Sequence, residues 1–199
     1  MSSFLPGFLT MASLIVAIGA QNAYVLRQGL AREHVGLVVA ICALSDLVLI
    51  TAGVAGIGRI VEHAPWVLDV VRWLGVAFLT WYGVSSLRRA RNAESLHAAG
   101  RTVTSRRAAA ARMTALTWLN PHVYLDTVLL LGAIANHQGP QGRWWFAAGA
   151  CVASIAWFAG LGFGARLAGR WLASARAWQV LDVLIGVVMI AIAVRLAWS

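Results

Sequence analysis

Residues 35–58 read VGLVVAICALSDLVLITAGVAGIG, an apolar stretch interrupted near its centre by one carboxylate, Asp46. At about 1.5 Å per residue, an α-helix of this length can cross the roughly 30 Å hydrocarbon core of a bilayer. A carboxylate at the centre of such a helix costs roughly 2.5–3.5 kcal/mol on insertion scales, so it usually has a function or a partner. The stretch predicts a membrane-spanning helix with Asp46 as a candidate functional residue.

The same apolar pattern recurs along the chain of 199 residues, of which 60% are hydrophobic and 12% charged. Soluble domains carry about 25% charged residues. Mainly apolar windows, each long enough to span a bilayer, lie at 4–26, 35–58, 65–87, 113–135, 144–165 and 177–198. A soluble helical bundle would need polar faces that these windows lack. We therefore predict an all-α polytopic membrane protein with six transmembrane helices.

All 16 basic residues are arginines, and the formal net charge is +9. If the six spans alternate across the membrane, 12 of the 16 arginines fall on one side, including those of the loop 88–112. The positive-inside rule makes that side cytoplasmic and leaves both termini outside. Because the arginines lie mainly on one side, we expect the arginine-rich loop to set the topology and to contact anionic lipids at the cytoplasmic face, and we expect no nucleic-acid partner.

The loop 88–112 separates three spans from three, and short matches relate the two halves in the same order. They pair 42–45 (CALS) with 151–154 (CVAS), 21–22 (QN) with 119–120 (LN), and 67–70 with 180–183 (both VLDV). Gly53 and Gly162 each lie 11 residues after the matched cysteine. Chance similarity among apolar segments is the alternative. A true repeat with three spans per half gives opposite orientations, the inverted-repeat plan of many secondary transporters. The predicted division is 1–87, 88–112 and 113–199.

Small residues four apart suggest where helices pack closely. Ala156, Gly160 and Gly164 share one face of the fifth window, and Ala52 and Gly56 share one face of the second. In membranes, such small-xxx-small patterns allow backbones to approach. We therefore expect these two faces to form helix–helix contacts.

The fourth window contains Asn120-Pro121, which should break its helix. Pro121 has no N–H, so the carbonyl of Thr117 loses its helical donor. In hydrocarbon such a carbonyl must be satisfied by protein, water or a ligand. The break could offer carbonyl oxygens and the Asn120 amide to a cation, or it could be a structural kink satisfied by the Thr114 or Thr117 hydroxyl.

Asp126 follows this break, and it could face the same cavity as Asp46 if the two spans pack together. Arg72 and Arg195 are the only arginines that lie within the apolar windows, so they are the candidate internal counter-ions. Arg72 is suited to a local pair with Asp69, three residues earlier, and Arg195 can extend to the outer membrane boundary. We therefore expect both carboxylates to lack an arginine partner and to bind a guanidinium or ammonium group; pairing with an arginine of the protein is the alternative.

Three further polar residues lie within apolar windows. Gln21 and Asn22 follow Gly19 near the predicted cytoplasmic end of the first span, where their amides could bind a substrate carboxylate or bridge helices. Asp182 is a weaker candidate, because it lies near the inner end of the last span and close to Arg176.

Metal, cofactor and enzyme signatures are missing from the sequence. Cys42 and Cys151 both fall in apolar windows, and the five histidines show no ligand spacing, so we expect no disulfide, metal site or cofactor. The chain has no nucleophile elbow, HExxH pattern or phosphate loop, so we expect no enzymatic activity.

Three stretches carry a family resemblance: 19–25 (GAQNAYV), 42–49 (CALSDLVL) and 117–126 (TWLNPHVYLD), with weaker support from 75–79 and 146–149. In these stretches the chain resembles the LysE-type amino-acid exporter family, and most closely its arginine exporters. That family usually has Gly-Pro before the amides of the first span. Here Ala20 replaces the proline, which leaves Gly19 alone to unwind the helix.

The resemblance implies a transporter that exports basic amino acids, arginine and also lysine, across the bacterial plasma (inner) membrane by antiport with protons. It assigns substrate binding and proton coupling to six residues: Asp46, Asp126, Asn120, Pro121, Gln21 and Asn22. Export of neutral or other amino acids is the alternative within the superfamily, and a heavy-metal exporter or a non-transporting scaffold fits less well. The expected partners are the substrate, protons and membrane lipids, and a homo-oligomer is compatible with the sequence.

Overall fold

The described chain is helical throughout. A computed structural model describes residues 2–16, 19–56, 65–91, 105–168 and 175–198. In chain order its elements are α1 (Phe4–Ile15), α2 (Ala20–Ala31), α3 (Val35–Val54), α4 (Pro65–Arg91), α5 (Arg106–Trp118), α6 (Pro121–Val123), a π-helical segment (Tyr124–Leu131), α7 (Gly132–Asn136), α8 (Gly139–Ala168) and α9 (Ala175–Trp198). The prediction of an all-α protein is confirmed.

Among the described residues, four helices are long and apolar enough to cross a membrane: α3, α4, α8 and α9. A fifth span is possible if α1 and α2 are counted together, although their axes are bent by 82°. The first predicted window, 4–26, is divided between α1 and α2. The fourth predicted window, 113–135, is divided among α5, α6, the π-helical segment and α7. Large apolar side chains such as Leu44 and Val48 cover the outside of α3, as expected where a multi-pass membrane protein meets lipid.

The helices pack in a regular pattern. The broken pair α1–α2 lies against α8, and the helical segments of the fourth predicted window, 113–135, lie against α3. α3 also contacts α8, and α4 packs along α9. Buried aromatic and aliphatic side chains from α2, α3, α4, α5, α8 and α9 form one core cluster, which includes Tyr24, Tyr82, Met113, Phe158 and Met189.

Glycines mark the closest crossings of these helices. A Cβ atom on Gly7 would collide with the carbonyl oxygen of Phe146, and one on Gly149 would collide with the carbonyl oxygen of Phe4. These two contacts bring the backbones of α1 and α8 together. Only glycine leaves room for that approach.

The predicted small-residue faces do not pack as expected. Ala156, Gly160 and Gly164 are all exposed, and a Cβ atom on either glycine would meet no described atom within 4 Å. Gly56 also has open space around it, and its positive φ of 94° places it at the turn that ends α3. The prediction that these faces form helix contacts is wrong for the described part of the chain, because an apolar face in a membrane can point to lipid as well as to protein.

The predicted cytoplasmic loop 88–112 is helical at both ends. α4 continues to Arg91, and α5 begins at Arg106. Ser105 caps α5, with its hydroxyl oxygen accepting from the backbone N–H of Ala108 at 3.2 Å. Residues 92–104 of that loop lie outside the described residues.

Candidate functional site

The first helix break lies between α1 and α2. Gly19 is the N-cap of α2 in an extended conformation. The Asn22 side chain reaches back across the break, where its Nδ2 donates to the Ile15 carbonyl at 2.7 Å. Its Oδ1 accepts from Trp157 Nε1 of α8 at 3.1 Å. The chain therefore breaks with Ala20 in place of the family proline, because the Asn22 amide satisfies the carbonyl at the end of α1.

The second break follows α5, as Pro121 predicts. Asn120 is extended and caps α6, with its side-chain oxygen accepting from the His122 N–H at 3.2 Å. The Thr117 hydroxyl donates to the Met113 carbonyl at 3.0 Å, so it does not satisfy its own freed carbonyl. The Thr117 carbonyl instead accepts from the Asn120 N–H at 3.4 Å. The interpretation of a kink satisfied by the Thr117 hydroxyl is therefore wrong.

The span continues beyond the break as π-helical turns from Tyr124 to Leu131. π-helical segments are rare in proteins, and where they interrupt α-helices they frequently lie at functional sites. The Tyr124 hydroxyl donates to the Trp118 carbonyl at 2.9 Å and so ties the two sides of the break together. Asp126 lies in this segment and is partly exposed.

The two breaks and the middle of α3 border one cavity of about 330 Å³. This volume is at the lower end of the roughly 300–1,000 Å³ typical of small-molecule sites. Five of the six candidate residues line it: Gln21, Asn22, Asp46, Asn120 and Asp126. Pro121 is buried beside the break and does not line the cavity.

Asp46 is the deepest acid of this cavity, with 4% of its surface exposed. Its Oδ2 accepts a hydrogen bond of 2.6 Å from the Ser154 hydroxyl of α8. Within the described ranges, no arginine nitrogen lies within 4 Å of Asp46 or Asp126. The expectation that both carboxylates lack an arginine partner therefore holds for this part of the chain.

Hydrogen bonds between helices fix the walls of the cavity. Gln21 Nε2 donates to the Thr117 hydroxyl at 2.9 Å and so joins α2 to α5. Trp118 Nε1 donates to the Ser45 hydroxyl at 3.1 Å and so joins α5 to α3. Of the two roles left open for the amides of Gln21 and Asn22, bridging between helices is the one seen.

Three cavity residues with polar side chains were not among the candidates, namely His122, Thr127 and Arg195, and neither was Ser154, which contacts Asp46 from outside the cavity lining. The match of 42–45 with 151–154 could have indicated Ser154, because it corresponds to Ser45. Arg195 was expected to extend to the membrane boundary. It is exposed and lines the cavity together with Ile192, three residues earlier on the same face of α9.

Asp182 and Arg72 both have partners other than the nearby residues in sequence, which for Arg72 corrects a predicted pair. Asp182 is fully buried away from the cavity and pairs with Arg27 at 2.9 Å and Arg89 at 3.4 Å, and not with Arg176. This ion-pair cluster joins α2, α4 and α9. Arg72 does not pair with Asp69. Its guanidinium donates to the carbonyls of Leu196 and Ala197 at 2.7 and 2.8 Å, where it caps the end of α9.

A larger cavity of about 660 Å³ lies between the end of α3, the π-helical segment and α7. Its described lining contains no carboxylate, and its polar side chains are those of Asn136, His137 and Arg143. We therefore place the candidate site in the smaller cavity, which holds the acids. The described residues contain no cluster of three or more histidines, cysteines and acids that could hold a metal ion.

The chain has relatives among known proteins. The family described as LysE type translocator matches residues 12–199. The chain is 42% identical to the arginine exporter protein ArgO of Serratia proteamaculans over 197 residues, 98% of this chain and 96% of the relative. It is 38% identical to the lysine exporter LysE of Corynebacterium efficiens over 224 residues, covering 98% of each chain. No solved structure is significantly similar. These relatives are exporters and not enzymes, and the chain belongs to the LysE type translocator family.

Proposed function

We propose that this protein exports basic amino acids, L-arginine and L-lysine, from the bacterial cytoplasm in exchange for protons. The observation that carries the proposal is that Asp46 and Asp126 line one cavity, without a described arginine partner, at the meeting point of two broken helices. Carboxylates within a membrane domain commonly mark substrate and proton pathways. A guanidinium or ammonium group is their natural ligand.

The relatives support the choice of substrate class. Proteins named as arginine exporter and lysine exporter are each about 40% identical to this chain over nearly its whole length. Both substrates have a cationic side chain, which suits a cavity that holds two acids. The family relationship and the cavity chemistry thus point to the same class of ligand.

Three features support two inverted repeats, 1–87 and 113–199, joined by the basic segment 88–112. α2 of the first half packs on α8 of the second half, and α7 of the second half packs in the corresponding way on α3 of the first half. At these crossings a Cβ on Gly29 would lie 2.6 Å from the Gly162 carbonyl oxygen, and one on Gly132 would lie 2.8 Å from the Gly53 carbonyl oxygen. Gly53 and Gly162 are the glycines that the sequence repeat pairs. Inverted repeats of this kind bind substrate where their broken helices meet.

Proton coupling follows from the energetics of export. Moving a +1 substrate outward against an inside-negative potential costs about 2.3 kcal/mol per 100 mV. A passive path would therefore admit arginine. Because arginine keeps its charge throughout the physiological range, the coupling proton must bind the protein, and Asp46 and Asp126 are the acids in the cavity. Ionised acids hold the cation from inside, and protonation from outside releases it.

The orientation in the inner membrane rests on the arginine bias. The bias assigns Arg27, Arg89 and the basic segment 88–112 to the cytoplasmic side. Asp182 pairs with both of these arginines, so the three meet at one end of the bundle as the alternating topology requires. Arg195, which lines the cavity, lies at the opposite end of α9 from Asp182, so we propose that the cavity faces outward.

Purified protein in proteoliposomes tests the proposal. With an imposed pH gradient, labelled L-arginine and L-lysine should accumulate against their concentration gradients, and labelled L-leucine should not. Accumulation of leucine in place of the basic amino acids would replace the proposal with export of neutral amino acids. Basic amino acids that equilibrate without accumulating would contradict proton coupling.

A further inference from the structure

The proposed substrates carry three charged groups, and the acids of the cavity account for only the positive ones. L-arginine has a cationic side chain and an α-ammonium group, which Asp46 and Asp126 can pair with. Its α-carboxylate is negatively charged and requires hydrogen-bond donors or a cationic group. Left without them inside a cavity, a carboxylate would lose the hydrogen bonds it makes in water.

Arg195 is the arginine that lines this cavity. In the described chain its guanidinium has no ion pair within 4 Å and no hydrogen bond, although two acids line the same space. The Arg195 side chain is exposed, Asp126 is partly exposed and Asp46 is 4% exposed, so the guanidinium is the most accessible of the three charged groups and Asp46 the most buried. A guanidinium presents a planar fork that matches a carboxylate with two parallel hydrogen bonds.

The position of Arg195 is fixed by its neighbours. Arg72 of α4 donates to the carbonyls of Leu196 and Ala197, the two residues that follow. Leu196 is itself buried against the core. The last turn of α9 is therefore held in place, and Ile192 and Arg195 both face the cavity.

We infer that Arg195 binds the α-carboxylate of the transported amino acid, while its side-chain cation and its α-ammonium group pair with Asp46 and Asp126. This rests on the proposed function and adds a specificity determinant to it. Arg195 makes the site selective for amino acids over amines that carry the same cationic side chain. The start of α2 at Gly19, which also lines the cavity, is the rival donor for the carboxylate.

The test compares L-arginine with L-argininamide, in which a neutral amide replaces the α-carboxylate. The affinity for each ligand is measured by isothermal titration calorimetry on wild-type protein and on Arg195→Gln in detergent. Wild type should bind L-arginine at least about tenfold more tightly, the effect of one charge-assisted contact. Arg195→Gln should bind the two ligands with affinities equal to within about twofold. Arg176→Gln, an exposed change at the other end of α9, should keep the wild-type preference.

Three results would overturn the inference. Wild-type protein that binds both ligands equally would remove the need for a carboxylate site, whatever the variant does. A preference that persists in Arg195→Gln would assign the carboxylate to the start of α2. A preference lost equally in Arg176→Gln would indicate a general disturbance of α9. None of these results contradicts basic amino-acid export, which fails only if wild type transports neither arginine nor lysine.

Discussion

Replacement of Asp46 by asparagine is the sharpest test of the acidic cavity. The substitution keeps the size and shape of the side chain. Asparagine can still accept the 2.6 Å hydrogen bond from the Ser154 hydroxyl, so the contact between α3 and α8 is retained. The variant therefore changes the charge at the cavity floor and leaves the packing in place.

The expected loss of affinity is that of a charged contact. A hydrogen bond to an ionised group contributes about 1.5–3 kcal/mol, because desolvation offsets most of the direct attraction. Since each 1.4 kcal/mol corresponds to a factor of ten, Asp46→Asn should weaken L-arginine binding by about 10- to 150-fold. Proton-driven accumulation of arginine should disappear, because the variant has lost a titratable group of the cavity.

Binding is measured by calorimetry in detergent, and accumulation in proteoliposomes with an imposed pH gradient. Asp69→Asn is the matched control, because it removes the same charge from an exposed position on α4 and should behave as wild type. Ser154→Ala keeps the Asp46 charge and should lose affinity by less than Asp46→Asn. If Asp46→Asn binds and accumulates arginine as wild type does, the carboxylate is structural and the mechanism is wrong.

Three further substitutions test the rest of the structure. Asp126→Asn should also reduce arginine affinity, by less than Asp46→Asn because Asp126 is more exposed and its charge is better screened; an equal or larger loss in calorimetry would reverse the order of the two acids. Asp182→Asn should destabilise the protein by about 3 kcal/mol in denaturant unfolding, because two partly buried arginines lose their counter-charge, and an unchanged midpoint would contradict this. Gly149→Ala should destabilise by about 1–3 kcal/mol through collision with the α1 backbone, whereas Gly160→Ala in the same helix, with open space around it, should be neutral or slightly stabilising; equal effects would contradict the crossing.

The sequence predicted those features that depend on local chemistry. The span at Val35–Val54 follows from a long, mainly apolar run, and the break after Trp118 follows from the missing N–H of Pro121. The break before Ala20 is harder to predict from the sequence, because it depends on a contact between residues that are far apart in the chain. The Asn22 amide that satisfies the end of α1 is itself held by Trp157, 135 residues away in the chain.

Helix faces were the features that the sequence could not resolve. In water, polar residues mark the face turned to solvent, but in a bilayer the lipid-facing and protein-facing sides are both apolar. The face of α8 that carries Gly160 and Gly164 was therefore predicted to pack against another helix, a contact that it does not make among the described residues. Ser154, whose partner Asp46 lies 108 residues away, was missed because that pair forms only when α3 meets α8.

The charges of the cavity also predict the stoichiometry of exchange. With both acids ionised, Arg195 charged and His122 counted as neutral, the empty cavity carries a formal charge of −1, and it becomes neutral when it holds either one +1 amino acid or one proton. Enclosing net charge in a membrane is costly, so the protein should close around the cavity only in these two neutral forms. The exchange then uses one proton per substrate. Such exchange moves no net charge, so in proteoliposomes a pH gradient should drive arginine accumulation, and a potassium diffusion potential without a pH gradient should not. Accumulation driven by the potential alone would require a second proton, and the neutral-cavity reasoning would then be wrong.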